Sequence, residues 1–176
     1  MLDFSAIAKG YSVDIAADFL HEKGCENYLV DIGGEVVANG ENKTGAAWRV
    51  GINEPNDNEP LNAHELQAII SLKNKGMATS GNYRNFYIEN GKKFAHTINP
   101  HTGYPVNHNL LSATIVAQDC MTADALATAC MVMGTNSAKN LIQKMDNIEA
   151  FLIYAHETGT NRVFMTDGFQ ELIIFE

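Results

Sequence analysis

The sequence has 176 residues, of which 45% are hydrophobic and 19% are charged, so it is long and apolar enough to bury the core of one globular domain. The formal net charge is −9 and no lysine and arginine cluster is present, which excludes a basic nucleic-acid-binding surface. Three cysteines without C-x-x-C spacing are predicted to be small buried hydrophobes rather than zinc ligands or disulfides.

The N-terminal half is predicted to form one helix followed by short strands. Apolar residues recur at helical spacing over residues 4–23, and Gly24 ends that helix. A turn is predicted at Gly33 and Gly34, and a polar loop over residues 56–63. Apolar or alternating segments predict strands at residues 28–32, 35–39, 48–52 and 66–73.

The C-terminal half is predicted to contain a hairpin, two helices and further strands. The Asn90-Gly91 dipeptide predicts a tight turn between strands 85–89 and 93–98. Helices are predicted over residues 120–133 and 137–144. The remaining apolar segments predict strands at residues 111–117, 148–154, 161–165 and 169–175. We therefore predict an α+β fold with a mixed, mostly antiparallel sheet and packed helices.

The first candidate site lies at the start of the first predicted helix. Asp3, Ala6 and Lys9 stand among small residues that allow a ligand to approach the backbone closely. Helix N-termini bind anions through free N–H groups and the helix dipole, and Lys9 could reach a phosphate there. From these residues alone, the alternative is that Asp3 caps the helix and Lys9 is solvated.

A second candidate site lies on the predicted helix 120–133. Asp124 and Thr128 are four residues apart, so they share one helix face. A carboxylate and a hydroxyl suit Mg²⁺, which takes oxygen ligands and often shares them with substrate phosphates. The alternative is that Asp124 assists a helix cap while Thr128 bonds the carbonyl four residues earlier.

Two further segments carry polar groups. His96 ends a predicted strand before a loop rich in glycine and proline, a suitable place for a general base, whereas His101 is predicted to be exposed in that loop. The alternative is a satisfied polar network. Ser80 and Gly81 lie in a predicted hydroxyl-rich turn, residues 78–84, which either binds phosphate or joins two strands as an ST-turn. Together the four segments favour chemistry at a phosphoanhydride.

In their order along the chain, these motifs resemble the ApbE family, the FAD:protein FMN transferases. Those enzymes cleave FAD and attach its FMN half through phosphate to a threonine or serine of a target protein. The resemblance implies an ApbE-like fold related to the T-fold. It is carried by the segments 3–14, 31–35, 48–55, 79–83, 96–103 and 122–128.

The resemblance also implies roles for single residues. The Ala6 carbonyl, Asp124 and Thr128 would hold Mg²⁺. His96 would deprotonate the acceptor hydroxyl. The residues implied to bind FAD are Asp3, Lys9, Ser80, Gly81 and Ile98.

Family members carry a substantial segment before the motif that opens this chain. We therefore expect residues 1–176 to be a single domain, the C-terminal part of such a transferase, with any export signal or lipid anchor in the preceding segment. By resemblance, the expected location is the bacterial cell envelope and the expected partners are FAD and an acceptor protein. The alternatives are a Mg²⁺-dependent FAD pyrophosphatase, in which water replaces the acceptor, and a non-catalytic FAD-binding module.

Overall fold

The computed structural model describes residues 3–54, 66–82, 86–89, 92–95 and 97–175. The helices are α1 (Ala8–Glu22), α2 (Cys120–Met133), α3 (Thr135–Ile142) and α4 (Asp167–Leu172). The strands are β1 (Tyr28–Ile32), β2 (Glu35–Asn39), β3 (Trp48–Asn53), β4 (Leu66–Leu72), β5 (Lys75–Gly81), β6 (Phe86–Glu89), β7 (Lys92–Ala95), β8 (Leu110–Ala117), β9 (Glu149–Ala155), β10 (Asn161–Met165) and β11 (Ile173–Phe175).

The strands form three sheets. The largest has six strands in the order β1-β2-β5-β8-β9-β10, the second has the order β11-β4-β3, and β6 and β7 form a separate hairpin. Every strand pair within the described residues is antiparallel. The predicted α+β class with packed helices is therefore confirmed.

The six-stranded sheet is covered on both faces. One core joins β5, β8 and β9 to α2 and α3, and the other joins the opposite face to β3, β4 and α4. Strand β9 serves both cores, because Ala150 and Leu152 point to the first while Phe151 and Ile153 point to the second. This explains why β9 is an unbroken apolar run rather than an alternating one.

Helices α1 and α2 cross in close contact, and small and acidic residues make that contact. Gly10 is buried at the crossing, where an added Cβ would lie 2.5 Å from the Cys120 carbonyl oxygen. The Asp14 carboxylate accepts hydrogen bonds from the backbone N–H groups of Cys120 and Met121, at 2.8 Å each. Asp14 thus anchors α1 to the first turn of α2, which fixes how the two helices approach.

Several predicted boundaries shift for local reasons. Helix α1 begins at Ala8 rather than at residue 4, because residues 5–7 form a turn in which the N–H groups of Ile7 and Ala8 both bond to the Phe4 carbonyl. The predicted hairpin is present, with β6 paired to β7. The predicted loop over residues 56–63 lies outside the described residues.

Three predictions are wrong. Within the strand predicted over residues 169–175, residues 169–172 belong instead to α4, because the Thr166 hydroxyl accepts from the Phe169 N–H and caps the helix while the Phe169 ring is buried. Ser80 and Gly81 belong to the central strand β5 and not to a turn. Cys25 is exposed, whereas Cys120 and Cys130 are buried as expected.

Within the described residues, no helix combines the length and the apolar character needed to cross a membrane.

Candidate functional site

A cleft of about 910 Å³ opens beside α1, between the β1–β2 turn, β3, β5 and α2. Its lining residues lie between Asp3 and Val132, and many of them are far apart in sequence. All of the predicted site residues that the structure describes line this cleft, namely Asp3, Ala6, Lys9, Ser80, Gly81, Ile98, Asp124 and Thr128. The predicted base, His96, lies outside the described residues, while its neighbour Thr97 lines the cleft.

Asp124 is one of two buried carboxylates in the cleft, with 3% of its surface exposed. Its Oδ2 atom accepts a hydrogen bond of 2.9 Å from the Gly10 N–H. Burial raises the pKa of this carboxyl, and the Gly10 bond and the Lys9 charge oppose that rise. The helix cap of α2 is made by Asp119, whose side chain accepts from Thr122 N–H, so Asp124 is not a capping residue.

The bond from Gly10 to Asp124 has a consequence for Ala6. In a regular helix the Gly10 N–H would donate to the carbonyl of Ala6, four residues earlier. Because Gly10 donates to Asp124, no backbone hydrogen bond to the Ala6 carbonyl is present among the described residues. Ala6, whose carbonyl has no helical partner, therefore lines the cleft together with Asp124.

Thr128 adds a hydroxyl to this pair. Its Oγ1 atom lies 3.2 Å from the Oγ atom of Ser80, at hydrogen-bonding distance across the gap between α2 and β5. The described contacts thus link Thr128 to a neighbouring strand and not to the carbonyl of Asp124. Ser80 and Thr128 both present hydroxyl oxygens to the cleft.

A buried carboxylate, a free carbonyl and a hydroxyl form a set of oxygen donors, which is what hard cations such as Mg²⁺ prefer. Among the described residues, no group of three or more His, Cys, Asp and Glu side chains could hold a metal. The residues present therefore fit an ion that takes one carboxylate here and finds other oxygens elsewhere, as Mg²⁺ does with phosphates. They do not fit a soft metal that needs imidazole or thiolate ligands.

Asp3 lies at the entrance of the cleft and is exposed. Its Oδ1 atom accepts from the Ser5 N–H at 2.7 Å, and the Ser5 hydrogen bonds lower the pKa of this carboxyl. The helix itself begins at Ala8 after an Ile7 cap without a side-chain bond, so Asp3 shapes the preceding turn rather than capping α1.

Lys9 and Glu35 form an ion pair inside the cleft, with Lys9 Nζ 2.7 Å from Glu35 Oε1. Glu35 is 2% exposed, and burial raises the pKa of its carboxyl although Lys9 opposes the rise. Sequence reasoning gave Glu35 no role. One signal in the sequence could have indicated it. Glu35 follows two glycines and begins the otherwise apolar segment 35–38, and a charge buried in such a segment needs a partner.

The β1–β2 turn supplies another wall of the cleft. Gly33 and Gly34 have φ of +67° and +100°, so the backbone folds back in a way that favours glycine at both positions. Asp31 Oδ1 accepts from the Gly34 N–H at 2.9 Å and holds the turn. The result is a wall without side chains, which leaves room for a ligand near Lys9.

The segment 97–105 covers one side of the cleft. Ile98 forms an antiparallel bridge with Pro105 and remains 48% exposed, so an apolar surface faces the opening. The Thr97 hydroxyl donates to Asn82 Oδ1 at 2.8 Å, which ties this segment to the end of β5. His101 is exposed in the loop, as predicted.

The chain is similar in sequence to known proteins over most of its length. The ApbE family model matches residues 1–152 of the chain. A FAD:protein FMN transferase of Haemophilus influenzae is 42% identical over 158 residues, which are 90% of this chain and 44% of that protein. One from Escherichia coli is 34% identical over 175 residues, which are 99% of this chain and 48% of that protein.

Solved structures similar to the chain are also ApbE flavin transferases. The flavin transferase ApbE from Vibrio cholerae has a TM-score of 0.82 at 34% identity, covering 97% of this chain and 52% of that one. The apo form of Pseudomonas stutzeri flavinyl transferase ApbE has a TM-score of 0.80 at 35% identity, with 98% and 51% covered. The chain thus spans about half the length of these relatives. From its motifs, its fold and these matches, the chain belongs to the ApbE family.

Proposed function

We propose that this chain carries the cation-binding and diphosphate-binding site of a Mg²⁺-dependent FAD:protein FMN transferase. The observation that carries the proposal is that the Gly10 N–H bonds to the buried Asp124 carboxylate and leaves the Ala6 carbonyl without a helical partner, while both residues line one cleft. Relatives that bear this activity by name are about twice as long as the chain, so the activity of the chain itself is part of the proposal.

In this proposal, Mg²⁺ is held by the Ala6 carbonyl, the Asp124 carboxylate and the Thr128 hydroxyl. When bound, the ion would supply positive charge next to the diphosphate. Asp124 is suited to this role because its burial penalises the charged form, and a cation removes that penalty. Lys9 supplies a second positive charge, and Ser80 and Gly81 line the opposite wall.

The reaction divides FAD at its phosphoanhydride bond. The hydroxyl oxygen of a threonine or serine in the acceptor attacks the phosphorus on the flavin side, and a phosphoester bond forms. The bond between that phosphorus and the bridging oxygen breaks, and AMP leaves with the bridging oxygen. His96 takes the hydroxyl proton as general base, which makes a weak nucleophile competent. Asp3 and Ile98 contact FAD at the mouth of the cleft.

The test is a flavinylation assay. The chain is incubated with FAD, MgCl₂ and an acceptor protein that the Haemophilus influenzae relative modifies, and the acceptor is examined by intact mass spectrometry. We expect the mass of FMN to be added at a threonine or serine, with one AMP released per modified acceptor and no product in EDTA. An acceptor modified by the relative but not by this chain would refute the transferase assignment.

The same assay distinguishes the alternatives. Free FMN and AMP in equal amounts, with an unmodified acceptor, identify a FAD pyrophosphatase in which water replaces the hydroxyl. FAD binding without AMP release identifies a binding module. The bacterial cell envelope and membrane attachment through a lipid anchor stay predictions from the family resemblance.

A further inference from the structure

Glu35 is a buried carboxylate that packing does not explain. It begins β2 directly after the two-glycine turn and is 2% exposed. One oxygen, Oε1, accepts from Lys9 Nζ at 2.7 Å, while Oε2 is buried without a hydrogen-bond partner among the described residues. Burying a carboxylate costs free energy unless it is fully paired, so this position carries a cost that a neutral residue would avoid.

Lys9, the partner of Glu35, is exposed and not buried. The Lys9 side chain is 53% exposed and lines the cleft at the start of α1. A long exposed lysine samples many rotamers, and holding its ammonium group in one place costs conformational entropy. The bond to Glu35 imposes one such place, because the carboxylate is fixed in the protein interior at the base of the cleft.

From this contrast we propose that Glu35 is a positioning residue, which directs the Lys9 ammonium group toward the diphosphate of a bound dinucleotide. The inference rests on the proposed function. One N–H of Lys9 is donated to Glu35, and two remain for phosphate oxygens. Glu35 acts through Lys9, because its carboxylate is buried and its Oε1 atom accepts from the Lys9 ammonium group.

Two effects of the Glu35 charge oppose each other. It repels phosphate, and it also orders the lysine that binds phosphate. We expect the ordering of Lys9 to outweigh the repulsion of phosphate. The positive charge of Lys9 lies next to the Glu35 carboxylate and offsets that repulsion. Protein kinases use the same arrangement, in which a lysine that contacts phosphates is held by a glutamate.

The first experiment measures FAD binding to the whole chain, in MgCl₂, by quenching of flavin fluorescence. Glu35→Gln keeps the shape of the side chain and removes its charge. We expect FAD to bind about tenfold more weakly, within the range of coupling between neighbouring charged groups. The matched control is Glu41→Gln, because Glu41 forms a 2.7 Å ion pair with Lys73 in which both side chains are 47% exposed. That variant should bind FAD like the unmodified chain.

A double-mutant cycle separates positioning from a structural role. Lys9→Met should weaken FAD binding by itself, and adding Glu35→Gln to Lys9→Met should then change the affinity by less than about twofold. Riboflavin, which has no phosphate, gives a second measurement, and its affinity should be the same with and without Glu35→Gln. Glu35→Asp keeps the charge but withdraws it by one methylene group, and it should weaken FAD binding even if Glu35→Gln does not fold.

The outcomes distinguish this inference from the proposed function. If the unmodified chain does not bind FAD, the proposed function fails. If it binds FAD and Glu35→Gln binds equally or more tightly, or weakens riboflavin to the same extent, the positioning role is wrong. An undiminished effect of Glu35→Gln in the Lys9→Met background also refutes it.

Discussion

The groups around Asp124 depend on one another residue by residue. The carboxylate takes the N–H of Gly10, and the carbonyl of Ala6 loses its helical partner as a result. The Ala6 carbonyl is therefore free because the Gly10 N–H is occupied by Asp124. The oxygen donors of the cleft form a unit, and a change at one of them should be felt at the others.

Asp124→Asn should abolish the effect of Mg²⁺ on FAD binding. The amide keeps an acceptor for Gly10 but loses the charge, so Mg²⁺ affinity should fall at least about tenfold, the lower end of what even outer partners of a metal contribute. The fold should not suffer, because burial raises the pKa of Asp124 and so already disfavours its charged form. FAD titrations at several MgCl₂ concentrations give the measurement.

Asp119→Asn is the matched control, since it makes the same change on the same helix while asparagine still caps it. Its Mg²⁺ response should equal that of the unmodified chain. If FAD binding by Asp124→Asn still depended on Mg²⁺, Asp124 would not be a ligand of the ion.

Sequence reasoning reached Asp124 and Thr128 because their spacing is a local property of one helix. It could not reach the free Ala6 carbonyl from the residues alone, because that feature arises from a bond between residues 114 positions apart. Glu35 was missed for a related reason. Its burial depends on the packing of α1 against β2, and a charged residue after a glycine turn is equally typical of an exposed hairpin.

At the scale of elements, the crossing of α1 and α2 positions the site. Gly10→Ala should separate the two helices, because the added Cβ would lie 2.5 Å from Cys120 O and 2.8 Å from Asp124 Cβ. We expect a loss of about 1–3 kcal/mol in the free energy of unfolding, as for other overpacked sites. Urea denaturation measures it. Ser12→Ala, on the exposed side of α1, should change stability by less than about 0.5 kcal/mol.

Helix α2 also protects its two thiols. Burial raises the pKa of Cys120 to about 12 and that of Cys130 to about 11. At pH 8 only about one Cys120 in 10⁴ and one Cys130 in 10³ would be thiolate, the form that reacts. Iodoacetamide should therefore modify the exposed Cys25 and spare both helix cysteines until urea unfolds the chain. Peptide mass spectrometry reads the three sites, and rapid alkylation of Cys120 in the folded chain would contradict its burial.

Most elements were predictable because their signals are local. Periodicity located α1, α2 and most strands, and the Asn90-Gly91 dipeptide located the hairpin of β6 and β7. Helix α4 was not predicted, since residues 169–175 are apolar enough to suggest a strand. A capping threonine and the burial of Phe169 decide the outcome there. Tertiary packing of one aromatic ring thus overrides the propensity of a short segment.

At the scale of the molecule, the six-stranded sheet separates two cores, and Phe169 belongs to the core between the sheets. Its ring is fully buried and lies 5.4 Å from that of Phe151. Phe169→Ala should reduce the free energy of unfolding by about 3–5 kcal/mol. The same change at Phe19, which is 57% exposed, should have a small effect. Urea denaturation measures the free energy of unfolding of both variants. A loss at Phe169 as small as that at Phe19 would contradict the burial of Phe169.

The order of strands in the sheets was beyond the reach of the sequence pattern. Local signals predict hairpins such as β1 with β2, but β5 lies between β2 and β8, and that placement depends on long-range pairing. The cleft is a product of this arrangement, because it is bounded by elements that hairpin signals do not bring together. The family resemblance, by contrast, predicts that these residues belong to one site.

The irregular opening of α1 sets a limit on how this protein can be stabilised. Substitutions that strengthen helix formation over residues 4–10 would draw the Gly10 amide back to Ala6 and close the carbonyl that the cleft needs. Under the proposed function, a more stable first turn would therefore weaken Mg²⁺ binding. Engineering of this fold has to gain its stability from the far end of α1 or from the sheets, and leave the weak turn as it is.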